Sequence, residues 1–124
     1  VIVDHIRIIL WVTGAFTLLP IIIFLLPAQG PRLLFGIEAP EGAGGLLTRH
    51  WSLLAPSLGA LLIYAAWHPE LRVPLMLAAG IEKTGLIGLI VASWKKPYTA
   101  RMRPIAAFDL VIVLVYAVYL CHEL

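Results

Sequence analysis

The chain has 124 residues, of which 61% are hydrophobic and 13% charged, with a formal net charge of +2. Soluble domains carry about 45–50% apolar and about 25% charged residues, whereas the mean hydropathy here is +0.97. Four spans of about 20 residues would use about 80 positions, which excludes a separate extramembrane domain, a nucleotide-binding α/β fold and a groove-reading nucleic-acid binder.

The first apolar stretch runs from about Ile6 to Leu26 and ends before Pro27, with Pro20 expected to bend the helix without ending it. It is long for the core of a signal peptide, so it reads as a retained helix. The second stretch runs from about Leu46 to Trp67 and stops at His68-Pro69. The third begins near Leu71 and ends at Trp94, before Lys95-Lys96-Pro97. The fourth starts at Pro104, a good first-turn residue, and continues to about Cys121. The runs are continuously apolar without period-two alternation, which favours helices over a membrane barrel. The expectation is an all-α, integral membrane four-helix bundle, one domain over residues 1–124, with spans at about 6–26, 46–67, 71–94 and 104–121. Trp51, Trp67, Trp94, Tyr98 and Tyr119 fall near span ends, where amphipathic rings favour the headgroup zone.

The connections set the orientation. The first and third hold or border six basic residues: Arg32, Arg49, Lys95, Lys96, Arg101 and Arg103. The opposite side has Arg7 and Arg72. By the positive-inside rule the two long connections face the cytoplasm and both termini face out.

Charges interrupt the apolar runs. Glu82-Lys83 sits near the middle of the third span, where an ionised side chain costs about 2.5–3.5 kcal/mol unless it is paired or reaches water. Asp109 lies about five residues, roughly 8 Å, into the fourth span. Arg49 and His50 enter the second span from the same side, and Lys83 can reach along the bundle towards Asp109. These five residues are the expected intramembrane polar network. Ala78, Glu82, Gly85, Gly88 and Ala92 fall along one stripe, and small residues let helices approach, so that stripe is expected to face protein. His50, Ser57 and Tyr64 recur at heptad spacing, as do Asp109 and Tyr116. Pointed at one another, these stripes would make Ser57, Tyr64 and Tyr116 the walls of a polar pocket. Two roles are open to such a cluster: an ion-pair network that holds helix register, or a pocket for a lipid-like ligand, a quinone or a proton.

The placing of Arg49-His50-Trp51, His68-Pro69-Glu70-Leu71-Arg72, Ala79-Gly80-Ile81-Glu82-Lys83 and Asp109 resembles small bacterial four-helix membrane proteins of the DoxX-like kind, over about residues 46 to 121. The resemblance implies a four-helix bundle in the bacterial inner membrane and no particular activity.

Cofactor signatures are sparse. No span carries paired histidines at metal spacing, an HExxH or a Glu-x-x-His, and Cys121 has no partner for a disulfide or a CxxC pair. His50 and His68 are separated by about 27 Å along one helix, too far to share an ion. His5, His68 and His122, each beside an acid, fall at the outer ends of three spans, a weak metal candidate. No cofactor is therefore assigned, with a lipid or quinone the open alternative. With no complete catalytic set, the leading expectation is a non-catalytic accessory or structural subunit that contacts the lipid bilayer and a membrane-protein partner or a second copy of itself. The alternative is a membrane-embedded binder or enzyme for an apolar ligand. A transporter fits less well, because no broken-helix inverted repeat is visible.

Overall fold

The computed structural model describes residues 2–124. Helices α1 (Ile6–Leu18) and α2 (Ile21–Leu25) make the first span, followed by the short α3 (Gly30–Phe35). Three long helices complete the bundle: α4 (Gly42–Ala65), α5 (Pro69–Ala92) and α6 (Arg103–Glu123). No strand is present among the described residues. Ile6–Leu25, Gly42–Ala65, Pro69–Ala92 and Arg103–Glu123 are each long and apolar enough to cross a bilayer. The protein is an integral membrane four-helix bundle.

Pro20 does more than bend the first span. It has no N–H to give, and around it Leu19 donates to the Phe16 carbonyl, Ile22 to Leu19 and Ile23 to Pro20, each three residues back. The helix is interrupted between α1 and α2. The second span begins earlier than its hydropathy suggests, because Gly42, Gly44 and Gly45 are helical despite their poor propensity. Gly36 closes α3 in the left-handed conformation with φ 66°, which a side chain would resist.

Helix ends are closed by side chains. Arg72 donates from Nε to the Ala65 carbonyl (2.9 Å) and from its terminal nitrogen to Ala66 (2.7 Å), meeting two carbonyls at the end of α4. The buried Thr99 hydroxyl lies 2.8 Å from the Lys96 carbonyl and 3.1 Å from that of Ser93, pinning the turn after α5. Arg103 donates to the Trp94 carbonyl and stacks over the Trp94 ring, its guanidinium 4.8 Å from the centroid. Arg101 reaches the carbonyls of Arg32 and Leu33, both at 3.4 Å, so the first and third connections meet at one end of the bundle.

The core runs through Leu10, Leu62, Ala65, Met76, Ala79, Ile112, Tyr116 and Tyr119. Large apolar side chains such as Ile8, Leu54, Ile81, Leu89, Val111 and Leu114 point outward, as lipid contact requires. Within that core Thr13 donates to the Ile9 carbonyl at 2.8 Å, which leaves its oxygen to accept from the Tyr116 hydroxyl at 2.5 Å. At Gly14 and Gly59 the backbones of α1 and α4 come close: a Cβ on Gly59 would lie 2.6 Å from the Gly14 carbonyl oxygen.

The small residues of α5 are disposed differently from the expectation. Ala78, Gly85, Gly88 and Ala92 face outward, and a Cβ added at Gly80, Gly85 or Gly88 would meet nothing within 4 Å. The buried line of α5 is Met76, Ala79, Lys83 and Ile90. A helix turns about 100° per residue, so a burial line through position 83 leaves the stripe through 78, 85 and 92 on the outside. The aromatic belt also needs correction at two positions. Tyr119 is a core residue, and Trp51, nine residues into α4, faces the interior cavity described below.

Candidate functional site

The bundle's charged interior forms where α5 and α6 pack together. Lys83 Nζ stands 3.3 Å from Asp109 Oδ1, and both side chains are only 3% exposed. Lys83 is held on the buried line of α5, and Asp109 on that of α6 with Ala106, Ile112 and Tyr116. A pair removed this completely from water is stable only while both partners are present. The ammonium also lies 5.5 Å from the centroid of the Phe16 ring, which in turn packs on Phe108 at 4.3 Å.

Beside the ion pair is a partly open cavity of about 60 Å³ reached by every span. From α1 come Phe16 and Thr17, and from the Pro20 break Leu19 and Pro20 itself. Leu34 and Phe35 of α3 form one wall, Trp51 and Ala55 of α4 another. The remaining wall is Glu82, Lys83 and Leu86 of α5 with Ile105 and Asp109 of α6. Phe35 and Trp51 lean on each other with centroids 6.2 Å apart. Trp51, Lys83 and Asp109 share the cavity wall with Glu82. One Glu82 carboxyl oxygen, Oε2, is buried without a hydrogen-bond partner.

The other residues singled out in the sequence lie elsewhere. Arg49 is exposed, donates to the Phe24 carbonyl at 3.0 Å and covers the Phe24 ring at 5.1 Å, so it belongs to the bundle end. His50 is exposed one residue further on. Neither joins Glu82, Lys83 and Asp109. Ser57 is exposed and returns its hydroxyl to the Leu53 carbonyl at 2.8 Å. Tyr64 is exposed and stacks on His68 with centroids 3.8 Å apart. The heptad stripe of α4 therefore faces out, because the buried line of that helix is Ser52, Ala55, Pro56, Gly59 and Leu62. Tyr116 is buried, but against Thr13 and away from the cavity. No pocket joins Ser57, Tyr64 and Tyr116.

The histidines are equally separate. His68 Nδ1 lies 2.9 Å from the Tyr64 carbonyl, and His122 Nδ1 lies 3.6 Å from Glu123 Oε1. Among the described residues no three His, Cys, Asp or Glu side chains, those of His5, His68 and His122 included, are grouped so as to hold a metal ion.

Sequence reasoning passed over Phe16 and Phe35 as cavity walls and placed Trp51 at a span end instead. An aromatic ring inside an apolar span carries no mark that separates a cavity wall from ordinary packing. No protein-family model, no curated protein and no solved structure matches the chain.

Proposed function

We propose that this protein is a membrane-embedded binder of an apolar molecule whose polar head enters the cavity between Glu82, Trp51 and Phe16. The observation that carries the reading is Glu82, a carboxyl residue on the wall of a largely apolar cavity whose Oε2 is buried without a partner in the protein. A buried polar atom left unsatisfied costs about 1–3 kcal/mol, and a head group that draws the carboxyl into a hydrogen bond at this wall removes that cost. The cavity volume of about 60 Å³ is well below the roughly 300–1,000 Å³ that buries a drug-sized ligand whole. It admits a head group and leaves the tail among hydrocarbon. We read the cluster of basic residues at the Arg101 end as orienting that end to the cytoplasm, and residues 46–121 as DoxX-like. Native mass spectrometry of protein extracted in mild nonionic detergent tests the reading. A stoichiometric lipid-like adduct is expected, and it should disappear in Ala55→Leu, which fills the cavity. Protein that carries no such adduct, and acquires none when membrane lipid extract is added, would end this proposal.

The second reading, a non-catalytic subunit of a membrane assembly or a homo-oligomer, rests on a different observation: the outward glycines of α5 with open space around them. Close helix approach is what such residues permit. Its test is the assembled mass in the native membrane and its change in Gly85→Trp.

A further inference from the structure

The binding reading does not say what kind of head group the cavity takes, but its charges do. Two carboxylates, Glu82 and Asp109, face one ammonium, Lys83. Lys83 is committed to Asp109 at 3.3 Å. That leaves Glu82 without a dedicated counter-ion on a cavity wall that is largely apolar. A carboxylate in such surroundings is costly without a cation, and a cation brought in by a ligand stabilises its ionised form.

The aromatic groups favour the same sign. Ring faces attract cations through their quadrupole, and Lys83 already lies near the Phe16 face in this way. Phe35 and Trp51 line the cavity beside Glu82. The Glu82 carboxyl on the cavity wall adds a demand for a donor, because a carboxylate only accepts and its Oε2 has no N–H or O–H partner in the protein. A primary ammonium brings both a positive charge and N–H donors. A trimethylammonium has the charge without a donor and is bulkier. An alcohol has the donor without the charge, and a carboxylate is repelled by both acids.

We propose that the cavity binds the head of a lipophilic primary amine, its ammonium donating to the Glu82 carboxylate beside Trp51 and Phe35 and its alkyl tail running out past Leu86 and Ile105. This rests on the binding reading above and commits it to one chemical class. Lys83 and Asp109 serve as positioning residues: by neutralising each other they leave Glu82 as the group that selects.

The test uses the full-length protein in nonionic detergent and four probes with the same tail: dodecylamine, dodecanol, dodecanoate and dodecyltrimethylammonium. Binding is read by native mass spectrometry and by the shift in melting temperature. The amine is expected to bind with one-to-one stoichiometry and about tenfold tighter than the alcohol, with the trimethylammonium weaker than the amine and the carboxylate not retained. Glu82→Gln keeps the size and a hydrogen-bonding carbonyl but removes the charge. It should abolish the preference for the amine over dodecanol. Equal binding of alcohol and amine, or retention of the carboxylate, overturns the cation proposal and leaves the binding reading standing, as does an amine preference that survives in Glu82→Gln. Binding of none of the four overturns both. The comparison among probes on the unaltered protein decides the matter even if the variant does not fold.

Discussion

The α1–α4 seam and the outer face of α5 are both marked by glycine, yet the residue does opposite things in the two places. At the seam, Gly14 and Gly59 bring two backbones so close that a methyl group on either would lie within 2.7 Å of the facing carbonyl. On α5, the exposed Gly85 and Gly88 are so placed that an added Cβ would meet nothing within 4 Å. The seam shows glycine used to remove volume where helices must touch. The α5 face shows that spacing alone does not establish contact, since a helix rotated by about half a revolution presents its small residues to lipid instead.

Substitutions can break this comparison, and the largest effect belongs at the seam. Gly59→Leu should unfold the bundle or cost about 3 kcal/mol or more, since overpacking against a rigid backbone finds no room to relax. Its resistance to sodium dodecyl sulfate unfolding measures this. A Gly59→Leu protein as stable as the parent would mean that the close approach does not exist.

Next is the inward face of α5. Lys83→Met should destabilise by about 3 kcal/mol, because it leaves Asp109 buried without its partner. The double change Lys83→Met with Asp109→Leu should recover much of that loss in the same assay. Simple additivity would show that the two groups are not coupled.

A smaller effect is expected at the core hydrogen bond. Tyr116→Phe removes a donor while Thr13 keeps the Ile9 carbonyl, so about 1 kcal/mol should be lost. Smallest of all is Gly85→Leu, which should lie within about 0.5 kcal/mol of the parent or slightly above it, since the exposed position gains helix propensity. A large loss there, read on detergent-solubilised monomer, would place the α5 glycines inside the fold after all. Loss confined to membranes would instead sharpen the contrast by showing a neighbour on that face.

The fold was legible because lipid imposes a simple rule on sequence: about 20 apolar residues per span. The interruptions at Glu82, Lys83 and Asp109 stood out for the same reason, since ions in hydrocarbon are expensive. What sequence did not reveal was rotation about each helix axis. Hydropathy varies little around a transmembrane helix, so the phase of burial must be guessed from sparse polar or small residues. On α5 that guess selected the stripe through Ala78 and Gly85, whereas Lys83 lies on the buried line with Met76, Ala79 and Ile90. On α4 it selected Ser57 and Tyr64, each of which satisfies itself locally by a bond to its own helix or a stack on His68. The cavity walls at Phe16 and Trp51 depend on the approach of separate helices, and no local pattern encodes that.

The clasp between Arg101 and α3 has a consequence for how this chain tolerates change. A six-residue helix cannot hold its own shape, yet Leu34 and Phe35 of α3 wall the interior cavity. Their position relies on a guanidinium from the connection between the last two spans, hydrogen-bonded to the Arg32 and Leu33 carbonyls. Surface connections ordinarily accept insertions freely. Here one added residue before Arg101 or after Gly30 would displace the grip and redraw the contour of the buried space, so these two stretches are architecture as much as linkers.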